Sequence, residues 1–333
     1  MRRFAIFGVL IIVGMFIGTF LTADSHPIYS IESESYNRAY WDTRINKVGA
    51  QDAFSEFKKK NQVAPFERRH LSTHIIGELF YEHEGVAGIR YCDASFSFGC
   101  FHGFFGRAIS EEGVSVISEL DTQCVNAYSV LGTGCQHGIG HGIMEYVGYE
   151  SVSKALELCA KTTQVTQLLG CTSGVFMEYN TPLVVGPDGE IPKPREFNKN
   201  DPYTPCTEVD EVFRESCYFE LGQWFLRMLN NNIQQQKAVC GDIASSIYRE
   251  RCFMGIGSNL APSTEYNAPR VREHCAAFGS LGEVACLAGA SWSFYALDEL
   301  RDEPEQFCVL VSPQERDRCL RLADLTEGIE DRP

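Results

Sequence analysis

The cysteines constrain this chain most, because they form seven pairs that recur along the sequence. In order, the pairs are Cys92 and Cys100, Cys124 and Cys135, Cys159 and Cys171, Cys206 and Cys217, Cys240 and Cys252, Cys275 and Cys286, and Cys308 and Cys319. The second members recur every 35, 36, 46, 35, 34 and 33 residues. A period near 35 residues without strand alternation is typical of two-helix units, several of which must stack to bury a continuous core. The sequence therefore predicts an all-α array of about seven such repeats, either a solenoid or a closed α/α ring.

Disulfides within the units are the pairing that this repeat favours. A disulfide that closes a loop of about a dozen residues contributes on the order of 3 kcal/mol by loop-entropy reasoning, and here it would join the two helices of one unit. Zinc and iron–sulfur thiolates usually need C-x-x-C spacing, which does not occur in this chain. We therefore expect seven disulfides and an oxidising compartment outside the cytoplasm.

Glycine recurs three residues after the second cysteine in five of the units. These glycines are Gly103, Gly138, Gly174, Gly255 and Gly289. Glycine inside a helix costs about 1 kcal/mol relative to alanine, so its recurrence predicts that helix backbones approach closely at this position. The second helix of each unit should line the tightly packed side of the array.

In architecture the chain resembles the disulfide-stapled Sel1-like repeat proteins of bacteria, a branch of the tetratricopeptide-like helical arrays. Those proteins also pair two cysteines within each α/α unit. The resemblance covers residues 75–325, but only Cys92 and Cys100 match the usual cysteine spacing, and the Leu-Gly-x-x-Tyr signature is not visible. The resemblance implies a helical array that binds a protein or peptide partner.

The N-terminus carries an export signal. Residues 4–22 contain no charged side chain and follow Arg2 and Arg3. Their length suits a bilayer-spanning helix better than a cleaved signal peptide, although Leu21-Thr22-Ala23 leaves cleavage open as the alternative. We expect residues 1–23 to be a transmembrane signal anchor. The paired arginines would keep the N-terminus in the cytoplasm and place the rest on the extracytoplasmic side, in a cell envelope, a periplasm or at a cell surface.

Three further segments lie before, within and after the array. Residues 24–62 are polar with interleaved aromatic side chains, and we expect a juxtamembrane linker there. The repeat domain would cover residues 63–325, and the proline-rich, glycine-containing and charged segment 180–205 would be an inserted loop on one face. Residues 326–333 would form an acidic tail. A formal net charge of −15 and the lack of a basic stripe argue against a nucleic-acid partner.

Five of the eight histidines lie in patterned places, at His70, His74, His102, His137 and His141. The first two are four residues apart on a predicted helix, so their rings share one face. His102 and His137 each follow the second cysteine of their unit by two residues, so the repeat places them in adjacent layers, about 10 Å apart. Three or more neutral imidazoles suit zinc, copper or iron. The alternative is a set of half-buried histidines hydrogen-bonded between helices.

Three carboxylates are candidates for an oxygen ligand or for acid–base catalysis. Glu78 follows His74 by one helical turn, and the triplets that contain Glu145 and Glu178 both read Met-Glu-Tyr in neighbouring second helices. The alternative for the triplets is that their Met and Tyr side chains pack in the core with a polar tip. Trp224 and Trp292 are most simply core residues. The sequence contains no H-E-x-x-H, G-x-S-x-G, Walker or C-x-x-C-H motif.

The sequence leaves two functions open. The first is a membrane-anchored extracytoplasmic scaffold that binds a protein or peptide along its concave face and uses the 180–205 loop for specificity. The second is a metal-dependent enzyme or metal-binding protein that uses the histidines between positions 70 and 141. The architecture favours the first function, and the uneven distribution of histidine favours the second.

Overall fold

The computed structural model describes residues 31–64, 66–128, 133–182, 193–295 and 307–323. These residues form fourteen α-helices and no β-strand, so the predicted all-α class is confirmed for this part of the chain. The helices are α1 (Ile31–Val48), α2 (Ala50–Asn61), α3 (Phe66–Glu84), α4 (Ser95–Glu112), α5 (Ile117–Tyr128), α6 (Thr133–Val147), α7 (Val152–Cys159), α8 (Cys171–Asn180), α9 (Glu211–Met228), α10 (Ile233–Gly241), α11 (Ser246–Ser263), α12 (Ala268–Ala276), α13 (Glu283–Tyr295) and α14 (Pro313–Ala323).

Seven of these helices form a row in which each packs against the next. The row runs α3, α4, α6, α8, α9, α11 and α13, and the shorter helices α5, α7, α10 and α12 connect its members. Side chains from all seven line a single cavity of about 410 Å³. Because the first and last helices of the row reach the same cavity, the row curls around it.

All seven cysteine pairs form disulfides within their units, as the repeat predicted, and none of the fourteen cysteines is free. The bonds join Cys92 to Cys100, Cys124 to Cys135, Cys159 to Cys171, Cys206 to Cys217, Cys240 to Cys252, Cys275 to Cys286 and Cys308 to Cys319. Their Cα atoms lie 5.4 to 5.8 Å apart. So many disulfides indicate an oxidising, extracytoplasmic environment.

The expectation of two helices in every unit needs correction. In four units both cysteines lie on α-helices, which pair α5 with α6, α7 with α8, α10 with α11 and α12 with α13. In the other three the first cysteine lies outside an α-helix: Cys92 directly follows a 3₁₀ turn, Cys206 lies in a turn, and Cys308 begins a 3₁₀ turn. Prolines beside Cys206, at Pro202 and Pro205, are incompatible with a helix interior there.

Helix backbones approach closely where the recurring glycines predicted. A Cβ atom at Gly103 would collide with the carbonyl oxygen of His74, and one at Gly174 with that of His137. Gly255 and Gly289 also face carbonyl oxygens of the preceding helix in the row, whereas a Cβ atom at Gly138 would meet the ring of Phe105. The second helices therefore line the tightly packed side, as expected.

A second set of glycines completes these interfaces and sets the register of α3. Cβ atoms at Gly77, Gly140, Gly222 and Gly257 would each collide with the carbonyl oxygen of the cysteine that belongs to the next helix in the row. Gly77 lies on α3, which carries no cysteine. Helix α3 is thus an additional member of the row, packed in the same register as the helices that follow it.

The segment 24–62 is not a simple polar linker, because residues 31–61 are helical apart from Gly49. Trp41 and Ile45 on α1 are buried, as are Ala53, Phe54 and Phe57 on α2. Their spacing of three or four residues gives each helix one apolar face. The apolar face of α2 packs against the repeat domain, where the Phe54 ring meets that of Phe80 on α3.

Several predictions concern residues outside the described ranges. These are the signal anchor in residues 1–23, the middle of the inserted loop at 183–192 and the acidic tail at 326–333. Within the described ranges, none of the helices combines the length and the apolar character that crossing a membrane requires.

Of the predicted inserted loop 180–205, Asn180 is the last residue of α8, and the described residues 181–182 and 193–205 form no helix or strand. The backbone N–H of Arg195 donates to the carbonyl of Asn180 at the end of α8. The Arg195 guanidinium lies 3.9 Å from the centre of the Trp224 ring, and the Trp224 indole donates to the Arg195 carbonyl over 3.3 Å. The loop thus packs against Trp224, a residue of the cavity wall.

Candidate metal centre

The fold brings all five patterned histidines into one buried cluster on α3, α4 and α6. No member is more than 8% exposed. The ring centroids of His70 and His74 are 4.8 Å apart, and those of His137 and His141 are also 4.8 Å apart. His102 lies between the two pairs, 5.0 Å from His70 and 4.1 Å from His141. The cluster therefore has two histidines on each outer helix and one on the middle helix.

Ring nitrogens of these histidines point at each other at distances that a shared ion could span. Nε2 of His74 lies 3.2 Å from Nε2 of His70, and Nδ1 of His102 lies 3.3 Å from the same atom. Nε2 of His141 lies 3.0 Å from Nε2 of His137. Two triads have all their candidate ligand atoms within 4.8 Å of one another, and His102 belongs to both.

Outer hydrogen bonds fix the tautomer of one histidine in each triad. Nδ1 of His70 lies 2.8 Å from the carbonyl oxygen of Phe96, which can only accept, so Nδ1 carries the proton. Nδ1 of His141 lies 2.8 Å from a carboxylate oxygen of Glu178, and the hydroxyl of Tyr149 donates to the other oxygen over 2.7 Å. In a neutral ring this leaves Nε2 of both histidines unprotonated and directed into the cluster.

The carbonyl that orients His70 belongs to a strained turn at the start of α4. Phe96, Ser97 and Phe98 have φ values of 55°, 56° and 64°. This left-handed conformation is unfavourable for residues with a Cβ atom, at a cost of roughly 1 kcal/mol or more each. Such strain concentrates at ligand sites, where the surrounding structure holds it in place.

Burial keeps the imidazoles neutral. It lowers the pKa of His70 to about 4 and that of His141 to about 3. It also lowers the pKa values of His74, His102 and His137 well below the usual value, and the neighbouring histidines add to each shift. Neutral imidazole is the form that binds a metal.

The three candidate carboxylates occupy different places. Glu178 is fully buried against His141 and Tyr149 and so supports a candidate ligand. Glu145 is half-buried, and burial together with the nearby Glu178 carboxylate raises its pKa to about 7. Glu78 accepts a hydrogen bond from Arg38 on α1 at 2.5 Å. The metal-ligand triads contain none of these three.

The central cavity gives the cluster a route to small molecules. His70, His102 and His137 line it on one side, while Asn180, Glu220 and Trp292 line it elsewhere. The side-chain amide of Asn180 is buried, and both its nitrogen and its oxygen lack a hydrogen-bond partner. Burial raises the pKa of Glu220 well above the usual value, while a hydrogen bond from Ser173 opposes that shift. A cavity of this size with a few polar groups is typical of small-molecule sites.

No family model matches this chain, and comparison with curated proteins and with solved structures gives no match. The resemblance to Sel1-like proteins therefore extends only to the architecture of disulfide-linked helical repeats. Fold and site together define the class: an extracytoplasmic all-α repeat protein with a buried cluster of five histidines.

The sequence carried one signal for this cluster that the cysteine spacing alone does not reveal. His74 precedes Gly77 by three residues, just as His137 precedes Gly140. This match places His74 at the same repeat position as His102 and His137, on the one helix of the row that lacks a cysteine. Ser173, at the same position on α8, donates a hydrogen bond to Glu220.

Proposed function

We propose that this protein binds a transition-metal ion at the histidine cluster. The observation that carries the proposal is the pair of outer hydrogen bonds, from His70 to the Phe96 carbonyl and from His141 to Glu178. Metal-ligating histidines almost always donate their second ring nitrogen to a carbonyl or carboxylate, which fixes the tautomer and increases ligand basicity. In each triad the unprotonated Nε2 of the histidine with the outer hydrogen bond faces Nε2 of a second histidine, at 3.2 Å between His70 and His74 and at 3.0 Å between His141 and His137.

The donor set supports zinc, copper or iron over harder ions. The candidate ligands are imidazole nitrogens, while calcium and magnesium require oxygen ligands. Every cysteine is held in a disulfide, so thiolate ligands do not compete for the ion. The neutral cluster has the nearby Glu178 as a source of negative charge, transmitted through His141.

The cavity supports a role in which the bound ion meets a small molecule. Each triad supplies three protein ligands, and three protein ligands plus one exchangeable position is the usual arrangement of catalytic zinc. An ion of this kind can activate water or polarise a substrate, so the proposal includes a metal-dependent enzyme as well as a metal-binding protein.

The scaffold that binds a protein or peptide partner remains the second proposed function. It is supported by the repeat architecture and by the inserted loop, whose Arg195 packs on Trp224 of the cavity wall. We also retain the proposal that residues 4–22 anchor the chain in a membrane.

Metal analysis of matched variants tests the proposal. The full chain, produced without a histidine tag and with its disulfides formed, is analysed for bound metal and melted with and without EDTA. We expect stoichiometric Zn, Cu or Fe, a lower melting temperature in EDTA, and loss of both effects in His102→Ala, because His102 belongs to both triads. His274→Ala is the control, because His274 is also buried but hydrogen-bonds to Gln236 outside the cluster.

A parent protein that contains no stoichiometric metal, and whose melting temperature responds neither to EDTA nor to added Zn, Cu or Fe, would overturn the metal proposal. The same melting shift in His274→Ala and His102→Ala would also count against it, because the effect would then be one of general packing.

A further inference from the structure

His102 differs from its neighbours in the partners of its ring nitrogens. His70 and His141 each have one nitrogen bound to an outer acceptor and the other directed inward. Nδ1 of His102 faces Nε2 of His70 at 3.3 Å, and Nε2 of His102 is buried without a hydrogen-bond partner. Within the described residues, neither ring nitrogen of His102 hydrogen-bonds to a group outside the histidine cluster.

An unpartnered buried ring nitrogen is costly. Such an atom gives up its hydrogen bonds to water without gaining a partner in the folded protein, and an ion or water at the site is a common explanation. His137 shows the same feature, since its Nδ1 is buried without a partner while its Nε2 faces His141. The unsatisfied atoms lie on the middle and last helices of the cluster.

The distribution of ligands along the three helices is symmetric about His102. Helix α3 supplies His70 and His74, helix α6 supplies His137 and His141, and helix α4 supplies only the residue between them. Both triads need that residue: the first combines it with His70 and His74, and the second with His137 and His141. Five imidazoles exceed the four ligands of one tetrahedral ion but match two three-ligand sites that share one ring.

We propose that the centre holds two metal ions and that His102 bridges them. This inference rests on the proposed metal-binding function. Nδ1 of His102 binds the ion held by His70 and His74, and Nε2 binds the ion held by His137 and His141. Since both nitrogens then donate lone pairs, the remaining ring N–H proton leaves to solvent, and the imidazolate offsets one positive charge in a site with few anions. Positions on the cavity side remain for an exogenous ligand.

Stoichiometry and magnetic coupling test the bridge in the full chain. The protein is loaded with Cu(II), freed of excess ion, and analysed for copper per chain and by electron paramagnetic resonance. We expect two coppers per chain in the parent and a signal much weaker than that of two isolated ions, because an imidazolate bridge couples their spins. His74→Ala should retain one copper with a full uncoupled signal.

His102→Gln should lose both tightly bound ions, because each triad is reduced to two imidazoles, while His274→Ala should keep both ions and the coupling. Circular dichroism and free-thiol counts confirm that each variant is folded and oxidised. One copper per chain in the parent would overturn the two-ion inference and leave the proposed function intact. Two uncoupled coppers would overturn the bridge, and a parent that binds no copper, zinc or iron would overturn both proposals.

Discussion

Nδ1 of His141 on α6 lies 2.8 Å from Oε2 of Glu178 on α8, and both side chains are fully buried. This contact crosses from one repeat unit to the next, so the orientation of a candidate ligand depends on the stacking of two units. The hydroxyl of Tyr149, in the segment between α6 and α7, donates to the other oxygen of the same carboxylate. The site is therefore supported by the array and does not lie within any single repeat.

Glu178→Gln should weaken metal binding without unfolding the protein. The amide keeps the shape of the side chain but removes the negative charge that supports His141. Loss of such an outer partner typically lowers metal affinity about 10- to 100-fold. Competition with a chromophoric chelator measures the change. Glu220→Gln is the matched control, because Glu220 is equally buried but bonds to Ser173 outside the triads. Equal losses in the two variants would contradict the specific role of Glu178.

Gly174→Ala should destabilise the protein strongly. A Cβ atom there would collide with the backbone carbonyl of His137, which cannot move without separating α6 from α8. Overpacking of this kind costs about 1 to 3 kcal/mol or more. Gly241→Ala is the control, since its nearest neighbour would be the end of the Leu281 side chain at 3.9 Å, and it should be neutral or slightly stabilising. Urea unfolding of both variants measures the difference, and similar midpoints would contradict the close approach.

The metal-free protein should lose stability as the pH falls below about 6.5. Burial lowers the pKa of His70 to about 4 and that of His141 to about 3 in the folded state, from an unperturbed value of 6.5. Between these values the unfolded chain binds more protons, so the free energy of unfolding falls by about 1.4 kcal/mol per pH unit for each such histidine. At higher pH their contribution is fully present.

Urea unfolding in EDTA across this range measures the slope. His141→Gln should reduce the slope, because it removes one of the imidazoles whose pKa burial lowers. A slope that is identical in the parent and in His141→Gln would show that the cluster is not titrating as a buried neutral group.

The full chain should fractionate with membranes and keep an intact N-terminus. Residues 4–22 are long enough to span a bilayer and follow two arginines. Alkaline extraction of membranes and mass spectrometry of the N-terminal peptide check this prediction. A mature chain that begins at Asp24 would contradict the anchor and favour a cleaved signal peptide.

Patterns among residues that are close together in the sequence determined the fold class. The pairing of cysteines within units could be inferred because ten or eleven residues lie between the partners in six of the seven pairs. The close helix contacts could be inferred because glycine recurs at a fixed offset from cysteines such as Cys100, Cys135 and Cys171. Both patterns report local geometry, in which a disulfide and a helical turn bring residues together over short distances along the chain. The same reasoning erred for α1 and α2, where a polar composition concealed one apolar face on each helix.

Only the tertiary structure decided what the histidines do together. Their spacing indicated shared faces and layers, but not that all five are buried, that His102 lies between the two pairs, or that Glu178 orients His141. Those relations depend on the register and curvature with which helices α3, α4, α6 and α8 stack, and small rotations of a helix move its side chains by several ångströms. Likewise, the spacing in the sequence made Glu78 a candidate ligand. In the structure α1 packs against α3, and Arg38 on α1 donates a hydrogen bond to Glu78. A repeat determines which residues are equivalent, whereas the packing of its units determines which of them meet.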